Sequence, residues 1–399
     1  MIPLVSRSCA ALRLPRTVWL IGLISLLNDS ASEMLYPLIP LYLTTTLMAG
    51  PRALGLIEGV AEATAGLLKL LSGVLVDRSR RSRPWIVLGY GLAGLGRPLI
   101  GLIASWPMLL LIRFGDRLGK GLRTTPRDAM LAASVDADRR GLAFGVHRAM
   151  DNGGAVLGPL LAWWLLSRQV PIRHLFLGAA VPAVVCLLLA LRLREPAPMP
   201  VVAPVAGDWH LRHLPPAFRR YLLVVALFTL GNSSNMFLLL RAHELGVEQA
   251  DIPLLWAAVS AVAALASAPL AAWSDRIGRR RVLVGGYLAY GLFYLGLGLF
   301  TGSGHGLYAL FAGYGLFMAA TEGVEKALVA DFASPERRGT AFGWFNLTAG
   351  GLLLPASALF GTLYQSISPR AAFLFSATCA LIAALLLWRW LAPDHGTKG

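Results

Sequence analysis

Charge is scarce in this chain: 14% of its 399 residues are Asp, Glu, Lys or Arg, while 56% are apolar, and a soluble chain carries about 25% charged residues. A water-soluble protein of this length cannot hide so much apolar surface, which excludes an ordinary soluble globular protein. Cysteine is scarcer still. Cys9, Cys186 and Cys379 lie far apart in or beside apolar stretches, so neither a disulfide framework nor a zinc-ligand spacing is available. Acids are outnumbered by bases, 21 to 36, for a net charge of +15. The arginines sit between apolar runs and not on one face of a soluble domain, which argues against nucleic acid. No Ser/His/Asp, Walker or zinc-type spacing occurs, and the Gly-rich stretches lie inside apolar runs, so neither an enzyme nor a cofactor is expected. What the chain does have is a mean hydropathy of +0.63 and a series of apolar runs of roughly 20 residues. That is the length an α-helix needs to cross a hydrocarbon layer of about 30 Å.

Twelve such runs begin near residues 17, 53, 84, 107, 141, 172, 218, 252, 282, 306, 339 and 371. Arg7, Arg13 and Arg16 precede the first, which continues past Asn28 and Asp29 with no cleavage site; it is expected to be a retained helix and not a signal peptide. Connections alternate in charge. Arg78, Arg80, Arg81 and Arg83 fill one, Arg139 and Arg140 another, Arg276 and Arg279 to Arg281 a third, and Arg337 and Arg338 a fourth. Those around Pro51, Trp106, Glu244 to Asp251 and Ser303 are nearly free of Lys and Arg. The positive-inside rule places the basic loops and both termini in the cytoplasm, with the chain in the cell (inner) membrane.

An internal repeat divides the chain. Arg139-Arg140-Gly141-Leu142-Ala143-Phe144-Gly145 recurs as Arg337-Arg338-Gly339-Thr340-Ala341-Phe342-Gly343, an offset of 198 (141 to 339), and Asp77-Arg78 recurs as Asp275-Arg276 in the same register. Residues 195–216, rich in Pro and Ala, read as a cytoplasmic linker between six-helix halves at 1–194 and 217–399. The expectation is an all-α membrane protein of twelve transmembrane helices in two six-helix repeats, the parallel-repeat plan of many secondary transporters.

At these residues the chain resembles the major facilitator superfamily over essentially its whole length. That family's loop after the second helix reads roughly G-x-x-x-D-R-x-G-R-R-R. The first copy here supplies Gly73, Asp77, Arg78, Arg81 and Arg83, with Arg80 where Gly is expected and Ser82 where a basic residue is; the second supplies Asp275, Arg276, Gly278, Arg279, Arg280 and Arg281, with Ala271 at the first position. The resemblance implies a gating role for these loops. An Asp can face a helix N-terminus, arginines can pair with acids on neighbouring helices, and Asp128 at the end of the fourth helix is the natural acid partner. The alternative reading is that the arginines only set topology. The fifth helix is similar to the antiporter branch's G-x8-G-x3-G-P pattern at Gly145, Gly154, Gly158 and Pro159, with Ala162 and Trp163 in place of two further glycines. Small residues there allow close helix approach, and the proline supplies a hinge. The fourth helix, with Arg113, Asp116, Arg117 and Gly119, partly resembles the family's R-x-x-Q-G-x-G.

An ionisable residue at bilayer depth is costly and is a functional candidate by default. Asp29 lies roughly 20 Å along its helix from Arg16, and Glu62 roughly 22 Å from Asp77, at 1.5 Å per residue. Glu33 follows Asp29 by four residues and Glu58 precedes Glu62 by four, so each helix presents an acidic pair on one face. Asp151 lies ten residues into the fifth helix, one turn after His147. The expectation is a midplane acid cluster in the first half, with Arg113, Arg117, Lys69 and Asp116 as charge partners. Burial and like-charge proximity both favour a protonated carboxyl, which suits these acids to carry protons. The alternative is that they form permanent ion pairs. The seventh helix offers the neutral groups Asn232, Ser233, Ser234 and Asn235. Glu322, Glu325 and Lys326 are charges on the tenth. Asn28, Asn232, Asn235, His147 and Glu322 are the candidate substrate-cavity residues, with Tyr36, Tyr290, Tyr314, Trp344 and Phe345 as possible aromatic lining.

The leading reading is a monomeric, proton-coupled exporter of a small organic compound. Uptake with protons uses the same parts. A metal-ion or metal-chelate carrier is the runner-up, because Asp29, Glu33, His147 and Asp151 are oxygen and imidazole ligands, although no His-rich or Cys-rich stretch accompanies them. A non-transporting membrane sensor is a remoter reading.

Overall fold

The computed structural model describes residues 14–79, 81–135, 140–195, 210–300, 305–332 and 338–391; for 69–79, 140, 141, 268, 271, 272, 275, 305, 322, 338 and 339 it describes the backbone alone. Among the described residues every regular element is helical. They form twelve segments: α1 Arg16–Thr45, α2 Pro51–Ser79, α3 Arg83–Leu102, α4 Trp106–Ala133, α5 Arg140–Ser167, α6 Ile172–Leu191, α7 Pro216–Glu244, α8 Ile252–Ile277, α9 Arg279–Leu299, α10 His305–Phe332, α11 Arg338–Ser366 and α12 Pro369–Trp390. Each begins within three residues of the position expected from the apolar runs.

Proline writes several of the starts. Pro84, Pro107, Pro216, Pro253 and Pro369 occupy the first helical turn, where a missing N–H costs nothing and φ is already set. At α12 the Ser368 hydroxyl also caps the helix by accepting from the Ala371 amide at 3.1 Å. Proline also breaks helices inside the membrane. Pro37 cannot donate within α1, and the chain passes through a 3-10 turn at Tyr36–Leu38 before resuming at Ile39–Thr45. In α6, Pro182 leaves the Gly178 carbonyl without its helical donor, and Ala179 separates Ile172–Gly178 from Ala180–Leu191. The break in α7 at 232–235 contains no proline; there Asn232, Ser233, Ser234 and Asn235 supply side-chain hydrogen bonds that compete with the helix.

Two compact units are distinguished, one of Met1–Tyr36 and Leu67–Val202, the other of Pro37–Gly66 and Ala203–Gly399. The end of α1 and the start of α2 thus group with the later part of the chain. In the first unit α1 lies along α5, and α3 packs against α4 and α6. Its apolar core joins Val18, Ile21 and Ile24 of α1 to Ile86 and Tyr90 of α3, Met130 and Leu131 of α4, and Cys186 and Ala190 of α6. Lipid tails compete for apolar side chains as well as any helix does, so such contacts rely on close packing. A Cβ on Gly89 would lie 2.6 Å from the Gly119 carbonyl oxygen, and one on Gly119 2.5 Å from that of Gly89. These two glycines let the backbones of α3 and α4 touch.

In the second unit α9 packs on α10 and α12, α8 on α10, and α7 on α11 and α12, while Ile39–Thr45 lies against Met236–Glu244. Its centre is aromatic. Phe228 stacks on Tyr287 with ring centroids 3.9 Å apart, Tyr290 on Tyr294 at 4.1 Å, and Phe293 on Tyr314 at 4.6 Å. Tyr287, Tyr290, Tyr294 and Phe373 are fully enclosed. Gly278, at φ 96°, turns the chain sharply between α8 and α9 in a conformation that a side chain would strain.

Candidate functional site

The polar interior of the first unit begins on α4. Asp116, Lys120, Arg123 and Arg127 recur at spacings of four, three and four residues, which sets them on one helical face. Asp116 is 3% exposed and is held by two guanidiniums: Arg97 of α3 at 3.1 Å, and Arg113 one turn back at 3.7 Å. Arg97 also donates to the Asn28 side-chain oxygen at 3.0 Å and to the Asn28 carbonyl at 3.2 Å, tying α3 to α1. Asn28 in turn donates to Asp29 at 2.8 Å. Three helices are therefore joined by one hydrogen-bonded chain, Asp116–Arg97–Asn28–Asp29.

Asp29 sits where α1 meets α5. A Cβ on Gly154 would come within 3.0 Å of the Asp29 Cβ and 2.7 Å of the Leu26 carbonyl oxygen, and one on Gly158 would overlap the Ser30 carbonyl and approach Met34 N at 2.8 Å. Gly154 and Gly158 thus let α5 lie directly on the turn that carries Asp29. Burial and the charges of Asp151, Lys120 and Arg123 act on this carboxyl. Asp151 precedes Gly154 on the same helix by less than a turn, with His147 Nε2 3.8 Å from its carboxylate. The His147 Nε2 is also 2.9 Å from the Ser25 hydroxyl, to which Arg127 donates at 3.3 Å. Arg123, 4% exposed, lies over the Tyr90 ring at 4.6 Å. Glu33 is half-buried one turn beyond Asp29.

Several sequence expectations change at this point. The acids do not form one cluster within the first unit: Asp29 and Asp151 belong there, but Glu58 and Glu62 group with the second unit, where Glu58 is 1% exposed and accepts from the Ser234 hydroxyl at 3.4 Å. The cause is that α2 divides at Gly66, so acids early in it have different neighbours from its later half. Arg113 pairs with Asp116 on its own helix, because three residues along a helix brings two long side chains together. Arg117 is likewise buried beside Asp116, whose carboxylate feels its charge. Asp128 is engaged by the adjacent Arg127 at 3.0 Å. Of the glycines, Gly145 faces open space, unlike Gly154 and Gly158. The side chain of Lys69 lies outside the described residues. Arg97, Arg123 and Arg127 were not singled out from sequence. Arg97 carried a readable signal: between Trp85 and Leu111 it is the one charged residue.

In the second unit the interrupted stretch of α7 presents Asn232 and Asn235 to tyrosines. Tyr290 donates to the Asn232 side chain at 3.3 Å and to the Gly231 carbonyl at 3.0 Å; Tyr314 donates to Asn235 at 2.6 Å; Ser233 lies 3.3 Å from the Tyr294 hydroxyl. Tyr290 and Tyr314, considered above as lining, are buried packing residues that orient the two asparagines. Tyr287 donates to Glu325 at 2.9 Å. The Glu322 side chain lies outside the described residues.

Of the charged loops, the side chains of Asp77, Arg78 and Asp275, and Arg80 entirely, lie outside the described residues. Arg81 and Arg276 are exposed. Arg279 donates to the Ala327 carbonyl at 2.7 Å and pairs with Asp331 at the end of α10. Arg280 covers the Trp388 ring at 4.5 Å and donates to its carbonyl. At the start of α3 the acid facing the helix N-terminus is Glu195: its carboxylate accepts from the amides of Ser82 and Arg83, the latter at 3.0 Å.

Among the described residues, twelve helical segments of membrane-spanning length, eight of them also apolar enough to cross a bilayer, with buried ion pairs and internal breaks, define a polytopic transporter class. The family model of the Major Facilitator Superfamily matches residues 19–241 and 221–399, and the chain belongs to that family. It is 36% identical over 381 residues to an uncharacterised MFS-type transporter of Methanocaldococcus jannaschii, covering 94% of each chain. It is also 25% identical over 326 residues, 80% of each chain, to the multidrug resistance protein MdtH of Salmonella newport. Among solved structures, that of the nucleoside transporter NupG superimposes with a TM-score of 0.78 at 13% identity, over 94% of this chain and 100% of the other. This family consists of membrane transporters and not enzymes.

Proposed function

We propose that the chain is a proton-coupled exporter, which moves a small organic compound out across the cell membrane in exchange for protons. Six-helix halves at 1–194 and 217–399, joined by a linker at 195–216, alternate access to one site, with both termini in the cytoplasm. The observation that carries the reading is the junction of α1 and α5, where the charge of Asp151 acts on Asp29 beside His147 and Ser25. A carboxylate beside a second acid in a poorly solvated place is suited to carry a proton. Loss of that proton alters the charge that faces Lys120 and Arg123. Arg97 and Asn28 carry the change on to Asp116, and so link α1, α3 and α4. In the second unit Asn232 and Asn235 provide neutral hydrogen-bonding groups for an uncharged part of the substrate. The likeness to MdtH favours export over uptake.

The gating role of Asp77, Arg78, Asp275 and Arg279 is part of this proposal. A metal-carrier reading gains no support, since among the described residues no three His, Cys, Asp or Glu side chains converge.

The test is transport in proteoliposomes with and without a pH gradient, beside equilibrium substrate binding. Asp29→Asn is expected to abolish gradient-driven movement while substrate still binds, and Asp151→Asn to weaken it. Full gradient-driven transport in both variants would overturn proton coupling through this pair.

A further inference from the structure

One end of the first unit carries a groove of about 590 Å³ lined by Arg16, Thr17 and Leu20 of α1, Arg83 of α3, and Leu191, Arg192, Leu193 and Arg194 at the end of α6. Four guanidiniums bound one cavity whose remaining wall is chiefly leucine. Arg83 donates to the Leu191 carbonyl at 2.6 Å, which ties α3 to α6 and fixes the floor. Arg16, Arg192 and Arg194 are exposed, and among the described residues no carboxylate pairs with them. The nearby acid, Glu195, is turned to the amides of Ser82 and Arg83. The groove therefore holds an excess of positive charge.

Its apolar surroundings say what kind of anion fits. Val181, Val184, Leu188 and Leu191 recur at spacings of three, four and three residues, and all are exposed; so are Trp19 and Leu23 on α1 and Leu88 on α3. Those spacings make one continuous apolar face on α6 that faces lipid and ends at the arginines. A soluble anion would use the guanidiniums alone. A phospholipid uses both features, its phosphate at the arginines and its acyl chain along Leu191, Leu188 and Val184.

We infer that this groove is a binding site for the phosphate of an anionic phospholipid headgroup, independent of whatever the protein transports. It lies where the first helix, the third helix and the end of the sixth meet, so an occupied groove fastens three helix ends of the first unit to the bilayer.

The experiment uses the full chain purified in a lipid-free neutral detergent, titrated with dioctanoyl phosphatidylglycerol, dioctanoyl phosphatidylcholine or inorganic phosphate, with thermal unfolding as the readout. Phosphatidylglycerol is expected to raise the melting temperature saturably, and the other two are expected to leave it unchanged. The triple variant Arg16→Gln, Arg192→Gln, Arg194→Gln should weaken the apparent affinity about a hundredfold, at about 1 kcal/mol per basic residue. Arg168→Gln with Arg173→Gln, removing exposed arginines outside the groove, should keep the parent response. A triple Arg→Lys variant, which retains the charge, should keep most of it and stands in if the glutamine variant does not fold. An equal shift with phosphatidylcholine would overturn the headgroup assignment, and a shift with inorganic phosphate would make this a soluble-anion site. An unchanged affinity in the glutamine variant, or in the three single variants, would place the lipid elsewhere.

Discussion

The two units bury different chemistry. The interior of the first is ionic: Arg97, Arg113, Asp116, Arg117 and Arg123 are at most 6% exposed, with Asp29, His147 and Asp151 beside them. The interior of the second is aromatic, from Phe228 and Tyr287 through Tyr290, Tyr294 and Tyr314 to Phe360 and Phe373, and its polar groups are mostly neutral amides and hydroxyls. A buried ionic network has several arrangements of protons and partners that differ by modest energies. A stack of rings with satisfied hydroxyls has one. The contrast suggests a division of labour in which the first unit responds to charge and the second holds hydrogen-bonding groups in fixed positions.

The contrast breaks first at Asp116. Asp116→Ala would leave Arg97 and Arg113 buried with their shared carboxylate gone, and removing one partner of a buried pair costs about 3–5 kcal/mol. Thermal or denaturant unfolding in detergent should show this as the largest single loss of stability. A variant as stable as the parent would mean that the ionic network does not hold the first unit together. A smaller effect is expected at the α1–α5 contact. Gly158→Leu places side-chain atoms where the Ser30 carbonyl and Met34 amide already stand, an overpacking worth about 1–3 kcal/mol. Gly145→Leu, which meets open space, should cost far less in the same assay. Equal losses at both glycines would show that helix conformation, and not contact, is what these positions govern.

Much of the architecture could be read before any coordinates, because spans and connections are governed by local hydropathy and charge. The bilayer imposes its thickness on each helix separately, and so all twelve starts fell within three residues. Partners were another matter. Asp29 and Asp151 were recognisable as costly intramembrane acids, but nothing local says that Arg97, 68 residues after Asp29, reaches back to Asn28. Arg113 and Asp116 were both legible as charge partners of the acids, but their pairing with each other, three residues apart, shows only in the packed helix. Glu58 and Glu62 followed the same logic: helical spacing sets which face an acid occupies, and only packing decides which unit that face meets. The gating loops were legible as a motif because they recur at a fixed offset. Glu195, the acid that faces the α3 N-terminus, lay in a stretch read as linker.

The smallest predicted effect sharpens the comparison most. Tyr314→Phe keeps the ring that stacks on Phe293 and packs against Phe317 but deletes the hydroxyl that donates to Asn235 at 2.6 Å. One net hydrogen bond is worth about 1 kcal/mol, so stability should fall by about that much. The freed Asn235 amide can then turn, and since Asn235 borders the interruption in α7 its position is a candidate determinant of substrate binding. If the second unit holds hydrogen-bonding groups while the first handles protons, Tyr314→Phe should shift substrate affinity and leave the dependence of transport on the pH gradient as it is in the parent. Asp29→Asn should do the reverse. Measuring both quantities on both variants gives four outcomes from two proteins. A loss of gradient dependence in Tyr314→Phe would mean that the aromatic unit takes part in proton handling, and the division drawn from what each unit buries would not survive it.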